Sequence, residues 1–276
     1  MNRREFINNV FKMGGFFALC SMGLTKEARS WGILPAVVGS GGVTPSWTTW
    51  DETSKAGLAN DNTFVVMMEN VNLGGNETGQ GGGLTGADLV FIDFDNMPGA
   101  TGSPPYRTTV DSAQGSQWTL NALNTLINGP DWTLIWKFNN TITASHRAFC
   151  YLGGAGASSH IFYVYYYSND DLTFSLEIND TPRVTTFIDA GISTGLKWIA
   201  IWSEGAVLRV GQSTVRPTKL SDFDVVTNFG AGTGDTSGGS FLTDTNFWMS
   251  SVVGYGLQGL LYYIVCSKIC LIDNGA

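Results

Sequence analysis

From Thr63 onward, nearly every apolar run in this chain is short, rich in β-branched or aromatic residues, and bounded by Gly, Asn, Asp or Pro. Such runs fit a pleated strand that is buried on one or both faces, and the bounding residues fit the turns between strands. The pattern predicts strands near 64–68, 89–94, 132–138, 147–152, 161–167, 172–178, 184–188, 198–202, 207–210, 245–253 and 260–269. Turn signals fall between them at 153–156, 169–171, 179–180, 191 and 204–205. No long stretch after residue 31 sustains a helical period. Many strands with few helices imply an all-β sandwich or barrel with antiparallel pairing.

Composition narrows the function classes. Charged residues are only 14% of the 276, and hydrophobic residues are 43%, which excludes a disordered chain. The 35 glycines show no three-residue period, which excludes a collagen helix. The formal charge of −8 repels phosphate backbones and argues against a nucleic-acid partner.

The first 30 residues read as an export signal. Arg3-Arg4 precede Phe6-Ile7, and the run 13–24 (MGGFFALCSMGL) carries no charge. Its 12 residues fall short of the ~20 that cross a bilayer, so no permanent membrane span is expected. The arrangement resembles a twin-arginine signal, with Asn8 where that pattern usually has Lys. Twelve apolar residues also fit a core helix. Ala28-Arg29-Ser30 would suit a cut before Trp31. Such a cut removes five of the 15 basic and two of the 23 acidic residues and leaves a charge of −11. The expected organisation is a signal over 1–30, a linker or entry strand over 31–62, and a β-sandwich over 63–276, exported to the periplasm or beyond.

Cys150, Cys266 and Cys270 follow the signal. Four strand residues span about 13 Å, too far for a disulfide between Cys266 and Cys270. A disulfide between Cys150 and one of the other two is open to an exported chain, but the three read first as small buried hydrophobes. The chain has no CxxC pair and only two His, so zinc is not expected.

Sequence order brings in a family. Asp131-Trp-Thr-Leu-Ile-Trp-Lys-Phe138 opens a strand, and Asp171-Leu-Thr-Phe-Ser-Leu-Glu-Ile178 forms another. Leu196-Lys-Trp-Ile-Ala-Ile-Trp-Ser-Glu-Gly205 then leads through a tight turn into Val207-Leu-Arg-Val-Gly-Gln212. Leu257-Gln-Gly-Leu-Leu-Tyr-Tyr-Ile264 closes the chain. This order resembles laminin-G-like modules of the concanavalin A-like lectin/glucanase superfamily over roughly residues 88–272, with one residue missing before Ile199. The resemblance implies an antiparallel jelly-roll sandwich that binds a glycan or a cell- or phage-surface partner.

Within that frame, the run 161–167 places Tyr163, Tyr165 and Tyr167 on one strand face. A flat apolar ring with a polar rim suits sugar stacking. Packing of the same tyrosines beneath a loop is the structural alternative. Binding is favoured over catalysis. A glucanase-type hydrolase would have to use Asp93 and Asp95, two apart on a strand, but both glutamates of the family's E-x-D-x-x-E pattern are absent. No cofactor is implied apart from calcium, which would draw on the oxygen donors Asp170, Asp171 and Asp235. The segments around His146, Asp170 and Gly234–Gly239 echo a serine-protease order, but Thr236 interrupts G-D-S-G-G. A structural appendage protein is the remaining rival. The Gly-rich stretches 74–86 and 230–239 read as flexible rim loops.

Overall fold

Alternating apolar sequence becomes a two-faced sheet. The structure, a computed structural model, describes residues 47–72, 75, 77–84, 98–109, 125–140, 194–237 and 259–275, together with the strand backbones of 147–152, 161–166, 171–178 and 181–189. These belong to one unit, Pro45–Ala276; a separate unit, Met1–Thr44, lies outside the described residues. The expected signal and the strands near 89–94 and 245–253 also lie outside them.

Twelve strands are described: β1 (Thr63–Met67), β2 (Gln80–Gly81), β3 (Arg107–Thr109), β4 (Trp132–Asn140), β5 (Arg147–Leu152), β6 (Ile161–Tyr166), β7 (Asp171–Ile178), β8 (Thr181–Asp189), β9 (Gly195–Glu204), β10 (Val207–Ser213), β11 (Val225–Asn228) and β12 (Gly259–Ser267). They form an all-β antiparallel sandwich of two sheets. The eight-stranded sheet runs β11-β10-β9-β4-β12-β1-β2, with β3 also on β12, and the four-stranded sheet runs β5-β6-β7-β8.

The register of the larger sheet shows why both its faces are apolar. One row reads Val65, Val265, Ile135, Ala200 and Gly211, and the next reads Met67, Tyr263, Lys137, Trp198 and Ser213. The opposite face carries Phe64, Cys266, Leu134, Ile201 and Val210, then Val66, Ile264, Trp136, Ile199 and Gln212. All of these residues are buried. As expected, β9 is a central strand with Trp198, Ala200 and Trp202 on one face and Ile199 and Ile201 on the other.

A two-sided apolar sheet needs a cover on each side. On the Val65–Trp198 face the cover is the segment from Trp47 to Leu58, read from sequence as linker or entry strand. It contains two 3-10 turns, Trp47–Thr49 and Lys55–Gly57. Trp47, Trp50 and Leu58 join the same core cluster as Val65, Ile135, Trp202 and Tyr263. Trp47 and Trp50 stack at 5.5 Å, and Trp50 meets the Tyr263 ring edge-on at 4.6 Å. Phe223 extends the cover by stacking on Trp202 at 4.8 Å.

The two Gly-rich stretches are not free rim loops in their described parts. Gln80–Gly81 pairs with β1. Gly79 lies directly on the Phe64 ring, with no room for a Cβ. Glu77 is buried and ion-paired with Arg107 at 2.5 Å. Arg107 also donates to the carbonyls of Asn70 (2.9 Å) and Gly75 (2.6 Å), and Glu77 accepts the Glu69 N–H at 2.8 Å. In the second stretch, Thr236 is buried against Gly129, and the Gly234 carbonyl accepts Trp132 Nε1–H at 2.9 Å. Glycine here serves close approach, which sequence pattern alone does not separate from flexibility.

Two outcomes follow. Trp50→Ala lowers unfolding free energy by about 3–5 kcal/mol, whereas Val71→Ala, at a residue 74% exposed, changes it by less than about 0.5 kcal/mol. Arg107→Ala leaves Glu77 as an unpaired buried carboxylate and costs about 3–5 kcal/mol. Urea unfolding followed by tryptophan fluorescence measures all three.

Candidate functional site

The four-stranded sheet brings tyrosines together across neighbouring strands. Tyr163 on β6 stands opposite Tyr151 on β5 and Ser175 on β7, and Ser175 stands opposite Thr185 on β8. Tyr165 stands opposite Ala148 and Thr173, and Thr173 opposite Phe187. These two rows share one face. The alternate positions carry Leu152, Phe162, Leu176 and Val184, then Cys150, Val164, Phe174 and Thr186, then Arg147, Tyr166, Leu172 and Ile188. By register, Tyr151, Tyr163 and Tyr165 share a face with Thr173, Ser175 and Thr185, and most of the aliphatic positions fall on the other.

The other sequence candidates are placed as follows. Tyr167, Asp93, Asp95, His146 and Asp170 lie outside the described residues. Asp171 opens β7 opposite Asp189. Asp235 accepts the Ser237 hydroxyl at 2.6 Å and the Ser237 N–H at 2.9 Å, and these bonds hold its carboxyl below the usual value. Among the described residues, no group of three or more His, Cys, Asp and Glu is placed to hold a metal ion.

A second constellation was not anticipated from sequence. Lys137 interrupts the apolar run of β4 and faces Tyr263 on one side and Trp198 on the other. Its ammonium lies 4.9 Å from the Trp198 ring and 5.6 Å from the Tyr263 ring. Burying that charge requires a partner, and Glu52, reaching in from the 47–58 segment, forms the ion pair. Trp198 Nε1–H donates to the Tyr263 hydroxyl at 2.7 Å, and that hydroxyl donates to Glu52 Oε1 at 3.3 Å.

Arg216 clasps the same segment from outside. It donates to the carbonyls of Trp50 (2.6 Å) and Thr48 (2.9 Å), and its Nη1 lies 3.7 Å from Glu52 Oε1. Trp47 Nε1–H donates to the Pro217 carbonyl. Thus the strap, two strands and the 216–217 loop meet at one carboxylate. The sequence signal for Lys137 was legible in principle: a lysine at a position whose alternation calls for a buried residue. Glu52 carried no such signal.

Burial, reinforced by the Glu52 charge, holds the Tyr263 hydroxyl well above the usual tyrosine value. Cys266 and Cys270 are free thiols. Burial raises both, Cys270 to about 11 and Cys266 further still. Both carry little thiolate at neutral pH; Cys266 is buried as expected, whereas Cys270 is half-buried.

The sequence matches no protein-family model and no curated protein. Solved structures of similar shape do exist. The CBM40 module of Ruminococcus gnavus IT-sialidase, bound to α2,3-sialyllactose, aligns with a TM-score of 0.43 and 10% identity over 58% of this chain and 87% of that one. Trypanosoma rangeli sialidase with the inhibitor DANA aligns at 0.46 and 11%, over 75% of this chain but only 30% of its own. The enzymatically active domain of bacteriophage CBA120 tailspike protein 2 aligns at 0.39 and 15%, over 58% of this chain and 25% of its own.

Tyr263 supplies a pH test. Because its folded value is raised, its stabilising contribution is complete below the unfolded value of ~10 and is lost as pH climbs toward the folded value. In an alkaline titration at 295 nm, Tyr263→Phe leaves the early tyrosine ionisation unchanged and removes amplitude only from the late phase that accompanies unfolding. Loss of early amplitude contradicts the buried hydrogen-bonded placement.

Proposed function

We propose that this chain is an exported, non-catalytic binding module that recognises a glycan, free or on a surface partner, through the tyrosine-bearing face of the β5–β8 sheet. The observation that carries this reading is the register of that sheet. It sets Tyr151, Tyr163 and Tyr165 on one face of adjoining strands and most of the aliphatic residues on the other. An amphipathic outer layer needs its apolar side for the core. Rings and hydroxyls on the remaining side offer the mixed surface that sugars require: flat faces for C–H groups, and polar rims for hydroxyls. Tyr167 extends the same alternation. Export rests on the resemblance of residues 1–30 to a twin-arginine signal. Among the described residues, no helix is long and apolar enough to cross a membrane. A jelly-roll connection of concanavalin A type is the architecture that goes with this reading. Calcium held by Asp170, Asp171 or Asp235 would be an accessory at a loop.

A glycan and polysaccharide screen tests the proposal. The wild-type chain retains at least one glycan. Tyr163→Ala and Tyr165→Ala each weaken retention about tenfold, the loss of roughly 1.4 kcal/mol, while melting within a few degrees of wild type. Retention unchanged in both variants overturns the assignment of the face. Release of reducing sugar from a bound polysaccharide overturns the non-catalytic reading and moves attention to Asp93 and Asp95.

A further inference from the structure

Strand β7 carries Asp171, Thr173, Ser175 and Glu177 at alternate positions. Its ladder with β6 runs without a slip, from Ile161 opposite Glu177 to Tyr166 opposite Leu172. All four β7 positions therefore share the side of Tyr163 and Tyr165. Thr173 and Ser175 stand in the two tyrosine rows, and a carboxylate position lies beyond each row. Past the Tyr163 row, Glu177 stands opposite Ile161 and Pro182. Past the Tyr165 row, Asp171 stands opposite Asp189. Along the strand the two acidic ends are about 20 Å apart, and each is about 7 Å from the nearer tyrosine row. That lies within the ~8–10 Å over which charges act in physiological salt.

Basic residues do not cancel these carboxylates. Residues 141–194, which hold all four strands and their connections, contain five Asp and Glu against two Arg, a balance of −3. Arg147 stands opposite Tyr166, on the other side of the sheet. Arg183 is the extra residue where the β7–β8 ladder slips near Glu177, and counted toward this side it offsets one carboxylate of three. His146 and His160 lie in connections outside the described residues, and protonating both still leaves the segment at −1. The remaining lysines and arginines beyond residue 44 all fall in described parts of the larger sheet and its connections. The Asp171–Asp189 end thus keeps its charge. Like charges at directly opposed positions weaken a ladder, and a bound cation relieves them.

We propose that the tyrosine-bearing face of the β5–β8 sheet takes an oligosaccharide of amino sugars whose amines are free and protonated. This names the substrate class of the glycan-binding reading above and rests on it. Tyrosine and hydroxyl rows alone accept the pyranose of any glycan; the acidic rows at both ends choose among them. They repel uronic acids, sialic acids and sulfated sugars, and they attract ammonium groups. Tyrosine rings add to that attraction, because a cation is drawn to an aromatic face. The distance between the acidic ends calls for an oligomer rather than a single sugar.

Calorimetric titration of the full chain tests this with two hexamers of one backbone: chitosan hexamer, whose glucosamine units carry ammonium groups, and chitin hexamer, whose units are N-acetylated. Mildly acidic buffer keeps the amines protonated and the carboxylates ionised. Chitosan hexamer binds at least tenfold more tightly than chitin hexamer, and trigalacturonate does not bind. Glu177→Gln and Asp189→Asn each narrow that preference at least threefold, and Tyr163→Ala weakens the binding of chitosan hexamer about tenfold. Equal affinity for the two hexamers, or tighter binding of trigalacturonate, overturns the charge selection; if that binding still falls in Tyr163→Ala, the tyrosine face itself stands. Tetralysine binding as tightly as chitosan hexamer, or chitosan binding unchanged in Tyr163→Ala, shows attraction by charge alone and overturns the inference. The preference persists in a chelator, and dependence on added calcium overturns the ammonium assignment. Absence of binding to all three glycans overturns the inference, while the tyrosine face is still judged by the wider screen. Should the Glu177 and Asp189 variants fail to fold, salt decides in wild type: added sodium chloride weakens chitosan binding at least threefold, and binding indifferent to salt overturns the proposal.

Discussion

The structure depends on one constraint: its eight-stranded sheet is apolar on both faces. Leu134, Trp136, Ile199 and Ile201 look one way, and Ile135, Ala200, Trp202 and Val265 look the other. Neither set tolerates water, so the chain must supply material for two covers. A sandwich meets that need with a second sheet and with segments wrapped over the far side. The wrapped segment from Trp47 to Leu58 is therefore as much part of the core as any strand. Its two indoles and one leucine lie against strands drawn from the first, middle and last parts of the unit.

The same constraint explains the polar residues inside. A lysine on a face otherwise made of Met67, Tyr263 and Trp198 is admissible only with a counter-charge and aromatic neighbours. Glu52 supplies the first, and Trp198, Tyr262 and Tyr263 supply the second. Arg107 and Glu77 solve the equivalent problem at another corner, where carbonyls and amides of the 69–77 segment take up the remaining hydrogen-bonding capacity. Both pairs join distant parts of the chain, so each fixes a segment in place as well as neutralising a charge.

Strand positions were largely legible because their signal is local. The alternation in β4, β5, β6, β9 and β12 requires only a dozen residues of sequence to see. The two-residue β2, the three-residue β3 and β11 gave too few residues for a period. The strap was unreadable for a different reason. Trp-Thr-Thr-Trp-Asp-Glu has no period, and its partners lie far along the chain: Pro217 is 170 residues from Trp47, and Tyr263 is 211 from Glu52. Glycine-rich sequence misled through its own ambiguity, since a missing Cβ permits both looseness and intimate contact, and at Gly79 the Phe64 ring makes it contact. For the candidate sites, the tyrosine alternation of β6 was visible in advance, but its alignment with Tyr151 needed the ladder. The opposition of Asp171 and Asp189 across β7 and β8 needed it as well.

Strand β12 lies between β4 and β1 and also carries β3. Three earlier strands, β1, β3 and β4, thus each wait for residues 259–267 for one of their partners. During synthesis the ribosome must release nearly the whole unit before its middle layer can close, and until then the facing edges of β1 and β4 stay unsealed. Closure of the sheet's middle is therefore a late event, set by where β12 falls in the chain.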